Sequence, residues 1–337
     1  MTGRKEQEIK LGYKVHQVLQ LPHPDENFLR GIILLDSEEQ AHVFPENCVE
    51  SALAVAGVSY LYTADTSTGL LTGYSLAYST PQRLIATRVW EVKLPSSEQL
   101  LAVASKSQSE RVHSQGRVLA DRSVMYKYLN PNLVAVVTHS TDPVHKHLLN
   151  VYLVDAVSGA MVFSATHKRA KGPIHIVHSE NWVLYSFYNE KSRRTEIATL
   201  ELYEGKAQSN STAFSSMSSL IQPIVERQAF IMPAVVESMR ETITEKGITS
   251  KHILLALSSG GILQLPWMFV DPRRPVIASA EMRDEGVIPY VPELPVPPDA
   301  IINYNQSVHR IRGIHTAPSG LESTCLVLAY GLAWLIN

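Results

Sequence analysis

The chain has 337 residues, 45% apolar and 18% charged, with 30 basic and 32 acidic side chains and a formal net charge of −2. No long run of either sign occurs, which excludes the electrostatic footprint of a nucleic-acid binder. The charged fraction lies below the roughly 25% usual for a soluble domain, so much surface is expected to lie against partners.

In chain order, residues 1–8 are charged and lack the apolar core of a signal peptide. Cys48 and Cys325 are the two cysteines. They either pair or remain separate buried thiols, and neither belongs to a Cys-x-x-Cys motif. Residues 62–69 (Tyr-Thr-Ala-Asp-Thr-Ser-Thr-Gly) match residues 152–159 (Tyr-Leu-Val-Asp-Ala-Val-Ser-Gly). Each reads as a strand, an Asp whose side chain bonds the turn amides, and a Gly at positive φ leading into a second strand. The copies are about 90 positions apart, or two units of about 45, the spacing of four-stranded propeller blades.

Short apolar or aromatic runs at 133–138, 148–154, 183–188, 251–257 and 324–330 predict further strands, each bounded by Gly, Pro, Ser or Asn. The basic stretch His167–Lys171 predicts a solvated loop. Met217, Leu220, Ile221 and Ile224 have helical spacing, but Pro223 interrupts it, so any helix there is short or starts at Pro223 as its first residue. A second repeat pairs Lys246-Gly247-Ile248 and the following apolar run with Arg312-Gly313-Ile314 and its own. This predicts a Gly-initiated strand and then a buried strand ending in a Gly turn. Between them lies the Pro-rich segment 271–298, expected to run over the surface as an extended cover. Its Arg273 and Arg274 are candidate interface residues, suited to holding carboxylates or carbonyls. The longest apolar run, 325–336, is shorter than the ~20 residues that span a bilayer.

These signals predict an all-β chain, a β-propeller of quinoprotein-like blades, incomplete or irregular, with five to seven units, a short helix and a Pro-rich covering loop; a pair of β-sandwiches is the alternative. The expected division is 1–205, the blades with Asp-x-x-Ser/Thr-Gly turns, and 206–337, further blades with the insert. No nucleophile elbow, phosphate loop or His-Glu-x-x-His motif occurs. Ser258–Gly261 reads as a hairpin turn. His145 and His147, and His175 and His178, read as solvated or structurally satisfied rather than metal-bound. No catalytic, cofactor or metal residue is expected. Asn210 and Asn305 stand in N-glycosylation sequons.

The segments 227–233, 247–251, 254–257 and 271–275 (Asp-Pro-Arg-Arg-Pro), with the strand 326–332, resemble the C-terminal lumenal domain of the subunit-one family of the endoplasmic reticulum membrane protein complex. The resemblance runs from about Lys14 to Leu332. It implies a lumenal scaffold without known catalytic residues, in a single-pass type I subunit of a complex that inserts and matures tail-anchored and multi-pass proteins. Implied partners are the other subunits, with client membrane proteins or chaperones. Asn210 and Asn305 fit a glycosylated lumenal part. Residues 333–337 depart from the family, so the chain reads as a fragment or truncated isoform without signal or anchor. Two rivals stand beside this reading: a secretory-pathway propeller binding protein acting alone, and a quinone- or calcium-dependent propeller enzyme.

Overall fold

The computed structural model describes residues 8–21, 30–80, 83–107, 110–207, 214–218, 221–304 and 306–332. The chain forms two compact units. The first is Met1–Ser96 with Ala156–Ala160, and the second is Ser97–Asp155 with Met161–Asn337. Among the described residues, no helix is long and apolar enough to cross a membrane.

The first unit is built from β1 (Val15–Gln20), β2 (Ile32–Asp36), β3 (Gln40–Phe44), α1 (Val49–Ala56), β4 (Tyr60–Asp65), β5 (Leu70–Thr80) and β6 (Arg83–Lys93). They form one antiparallel sheet in the order β1-β2-β3-β6-β5-β4. β1 and β4, at the two ends of that order, lie beside each other, so the sheet nearly closes on itself. Its core joins Leu21, Ile33, Leu35, Leu61 and Leu76 with Ala52 and Ala56 of α1. The two alanines stand four apart on one helix face, which lets the backbone come close to the sheet. The sequence reading missed α1: it is eight residues long, and a two-turn helix carries little periodicity.

Gly73 makes room for Trp90. A Cβ at Gly73 would collide with the indole ring, and the indole N–H donates to the Ala156 carbonyl at 2.9 Å. Gly73→Ala should therefore overpack this site and cost about 1–3 kcal/mol, read as a lowered urea midpoint at unchanged slope.

The second unit follows a blade pattern. β7 (Glu98–Ser105), β10 (Leu133–Asp142), β11 (Lys146–Asp155) and β12 (Met161–Lys168) make a four-stranded antiparallel sheet. The next sheet is β13 (Ala170–Ser179), β14 (Trp182–Asn189), β15 (Arg194–Gly205) and β16 (Ile224–Met232). A small hairpin, β8 (Gly116–Val118) with β9 (Val124–Lys127), extends this sheet where β9 pairs the far end of β15. Then come three strands, β17 (Val236–Glu241), β18 (His252–Leu257) and β19 (Ile262–Pro266), and a two-stranded sheet of β20 (His309–Pro318) and β21 (Cys325–Leu332). The first strands of successive sheets are neighbours: β7 beside β13, β13 beside β17, and β17 beside β20. This is the arrangement of propeller blades.

The continuous apolar runs become central strands, as expected. β10, β14 and β18 are buried on both faces over most of their length. Ser258–Gly261 is the β18–β19 turn, closed by a 2.8 Å bond from the Gly260 N–H to the Leu257 carbonyl. Asp65 and Asp155 both end strands that enter hairpins, and Gly69 and Gly159 take positive φ, as their turns require. The two aspartates differ in what they hold. Exposed Asp65 accepts from the Ser67 hydroxyl at 2.6 Å, the Ser67 amide at 2.8 Å and the Thr68 hydroxyl at 2.8 Å, and these bonds lower its pKa to about 2. Asp155 is fully buried and accepts from Asn130 at 2.7 Å and Ser216 at 2.6 Å.

Four expectations need correction. Residues 221–223 are not helical, and Ile224 opens β16, whose register along β15 decides its conformation. Gly247 and Ile248 lie in a loop rather than a strand, and Gly313 sits inside β20. The 324–330 run is not buried: Leu326, Leu328 and Tyr330 are exposed. His167 is no solvated loop residue, since its ring packs on Phe187 and contacts the Tyr185 hydroxyl at 2.6 Å. The division expected at 205/206 falls between β15 and β16, which pair from Thr195↔Met232 to Tyr203↔Ile224.

Candidate functional site

Two clusters of buried charge mark the second unit. The first lies where loops and strand ends of different sheets meet. Lys251, just before β18, contacts Glu110 at 2.8 Å, the Ser179 hydroxyl at 2.6 Å and Glu180 at 3.7 Å. Lys127 of β9 reaches Glu180 at 2.7 Å. Glu180 also accepts from the His113 amide at 3.0 Å, while Glu110 accepts from the Glu180 amide at 2.9 Å. Ser179 donates to Glu110 as well. Glu180 sits in the β13–β14 turn at φ 45°, a left-handed conformation held by these bonds. Its side chain is 4% exposed, and those of Lys251, Glu110 and Lys127 are 11%, 12% and 13% exposed. These charges are therefore satisfied by one another rather than by solvent.

Electrostatics within this seam follow from burial and neighbours. Burial disfavours the Glu180 carboxylate, but Lys127 and Lys251 outweigh that effect and hold its pKa below the usual carboxylate range. Burial lowers the Lys106 ammonium to about 8, where it donates to the Asn130 carbonyl at 2.7 Å. Burial, and then Lys106, keep His178 neutral well below its ordinary pKa.

The second cluster anchors the Pro-rich segment. Asp271, 2% exposed, pairs with Arg117 of β8 at 2.6 Å. Arg274 donates to the Phe269 carbonyl at 2.6 Å and twice to the Pro289 carbonyl, at 3.1 and 2.6 Å, with its guanidinium 5.3 Å from the Phe230 ring centroid. Arg273 pairs with Glu285 at 2.8 Å. Downstream, the segment docks on β16: Ile231 donates to the Pro292 carbonyl at 2.6 Å, Leu294 donates back to Ile231 at 2.9 Å, and Ile231 and Glu293 form a parallel bridge. A short helix, α2 (Trp267–Val270), leads into it, and another, α3 (Ala280–Asp284), lies within it. The segment extends a sheet edge, and both arginines fold it rather than face outward.

Glu201 of β15 is 2% exposed, and burial, with Asp271 nearby, raises its pKa to about 7. A raised carboxyl contributes stability below its unfolded pKa and loses it as pH rises through the folded value. Between about pH 5 and 7 that term falls by about 2–3 kcal/mol. Glu201→Gln should remove this slope, raising the melting temperature near pH 8 and leaving it unchanged near pH 5. Parallel thermal scans at the two pH values check it.

Three of the histidines singled out in the sequence have polar neighbours of their own. His145 meets Asp142 at 2.5 Å, His147 meets His139 at 2.9 Å, and His178 meets the Ala104 carbonyl at 3.3 Å. Among the described residues, no group of three or more His, Cys, Asp or Glu side chains is arranged to hold a metal ion. Cys48 and Cys325 are separate free thiols, one buried and one half-buried. Asn210 and Asn305 lie outside the described residues. The ionic seam escaped the sequence reading because Lys106, Glu110, Lys127, Glu180 and Lys251 are isolated along the chain; the Glu180-Asn181 turn between two apolar runs was its nearest visible sign.

Successive antiparallel sheets with adjacent first strands, tied by charge across their edges, define a β-propeller module. Comparison with known sequences gives the same class. The chain belongs to the family described as ER membrane protein complex subunit 1, second beta-propeller, which matches residues 1–336. ER membrane protein complex subunit 1 of Gallus gallus is 48% identical over 322 residues, covering 94% of this chain and 32% of the relative. The Xenopus laevis protein of the same name is 46% identical over 320 residues, with the same two shares. That of Schizosaccharomyces pombe is 33% identical over 280 residues, 81% of this chain and 30% of its own length. The chain thus spans about a third of the curated relatives it matches.

Proposed function

We propose that this propeller is a non-catalytic scaffold of the endoplasmic reticulum membrane protein complex, placed on the lumenal side and supporting insertion and maturation of tail-anchored and multi-pass membrane proteins. The observation that carries the reading is the seam: its carboxylates and ammoniums tie the β13–β14 turn and β9 to the start of β18 and to the β7–β8 loop. Such pairing fixes the relative positions of blades and leaves a rigid surface for other subunits. Arg273 and Arg274 serve assembly indirectly, by holding the Pro-rich segment in the shape its neighbours meet. The sequons at Asn210 and Asn305 accord with this side of the membrane.

Affinity purification of a full-length subunit carrying this region should recover the other subunits, and its Asn210→Gln and Asn305→Gln forms should lose endoglycosidase-sensitive mobility stepwise. A full-length subunit that purifies alone would overturn the scaffold role, and an unglycosylated but inserted one the lumenal placement. Equilibrium dialysis against calcium and a quinone tests the rival enzyme; saturable binding with turnover would favour it.

A further inference from the structure

A cleft of about 710 Å³ opens at one end of the sheet formed by β13, β14, β15 and β16, where the chain crosses to β17. Its floor is apolar: Phe187, Met232 and Val236 are almost fully buried there, and half-exposed Val235 stands on its wall. Its mouth is basic. Among the described residues, Lys171, Arg193 and Arg194 line it with one carboxylate, Glu293. A bulge shapes one side. Lys171 faces Tyr188 and His175 faces Ser186, so residues 172–174 stand against Phe187 alone. The β14–β15 turn fixes the other side. The Asn189 side-chain oxygen accepts from the Lys191 amide at 2.9 Å and the Ser192 amide at 3.3 Å, and Arg193 takes a φ of 55°. The cations are only loosely engaged. Arg194 and Glu293 lie 3.6 Å apart with both side chains 53% exposed, a pair worth little in water. Lys171 meets Glu190 at 2.9 Å, with its ammonium 5.6 Å from the Tyr188 ring centroid. Among the described residues no carboxylate pairs with Arg193.

We propose that this cleft is a docking groove for an extended acidic segment of a partner protein, whose apolar side chains enter the cleft while its carboxylates meet Arg193 and Arg194. Charge complementarity decides the occupant. Three cations face one carboxylate at the mouth, so an acidic segment is attracted and a basic one repelled. A guanidinium holds a carboxylate through two parallel N–H groups. Arg194 can exchange Glu293 for a ligand carboxylate at small cost, because their present contact is exposed. The apolar floor adds what a bare anion site lacks, a place for side chains between the acids. The cleft has the volume of a ligand site, yet it is open to solvent, which suits a passing chain better than an enclosed small molecule. It lies at the opposite end of β13 and β14 from Glu180. The docking role therefore stands on its own residues and not on the ionic seam.

Selection from a random library of displayed short peptides on the purified full chain tests this docking. Recovered peptides should be enriched in acidic residues beside apolar ones. A fluorescein-labelled synthetic copy of the most enriched peptide should bind saturably by anisotropy. Replacing its acids by their amides should weaken binding about tenfold, and so should the double change Arg193→Ala, Arg194→Ala in the chain. Val235→Glu, which sets a carboxylate in the cleft, should weaken it as well. Circular dichroism should show both variants folded, because the substituted side chains are exposed. No enrichment of acidic peptides overturns the proposal, and so does binding that survives these substitutions in folded protein. Sedimentation with phosphatidylserine vesicles that the arginine changes abolish, and that the acidic peptide does not compete away, would overturn it in favour of a lipid surface.

Discussion

Lys251→Met is expected to destabilise the second unit by about 3–5 kcal/mol, the usual cost of removing one partner from a buried ion pair. The ammonium is the common neighbour of Glu110, Ser179 and Glu180. Met fills similar volume without the charge, so packing loss is small and most of the effect is electrostatic. Glu180 keeps Lys127, but Glu110 is left without its lysine contact in a site it shares with a second carboxylate. The pH dependence should change with it. A depressed carboxyl such as Glu180 contributes stability above its unfolded pKa and loses it as pH falls through the folded value. With Lys251 gone that depression shrinks, so the stability lost on acidification from about pH 5 downward should be smaller than in the native chain. Chemical denaturation across that range reads both effects.

Asp271→Ala should cost a similar amount, about 3–5 kcal/mol, for the mirror-image reason: Arg117 is then a largely buried cation without its carboxylate. The change also frees the Arg273 amide, which Asp271 accepts at 2.9 Å at the start of the Pro-rich segment. Loosening should propagate along the segment to Pro292, where it meets β16. Limited proteolysis should then cut within residues 272–294 before the sheets open, while the Arg117→Met, Asp271→Leu pair restores resistance. Double-mutant analysis of stability separates the pair energy from the single losses.

The contrast between β18 and β21 shows what was legible and what was not. His252–Leu257 and Cys325–Leu332 are equally apolar, and both read as buried strands. Periodicity reports how a strand can be buried, not whether a neighbour arrives. β18 has β17 and β19 at its two edges, whereas among the described residues β21 has β20 alone. Turns were readable for a local reason: Asp65 with Gly69, and Ser258–Gly261, carry their conformation in their own residues. The seam was unreadable for the opposite reason, because Glu110 and Lys251 meet only after the sheets have assembled. Arg273 and Arg274 show a third case. Their chemistry, holding carboxylates and carbonyls, was visible in sequence, but the partners proved to be Glu285 and Pro289 of the same segment and Phe269 of α2 just before it.

The most direct test of a propeller that scaffolds through a rigid, charge-tied frame is subunit recovery from a full-length protein carrying Lys251→Met with Asp271→Ala. Affinity purification should bring down the partner subunits in proportion to the fraction of this region that resists protease. Both should fall together, and both should return with the Arg117→Met, Asp271→Leu pair on a native Lys251 background. Full recovery of the complex from a protein whose propeller is protease-sensitive would contradict this scaffold role.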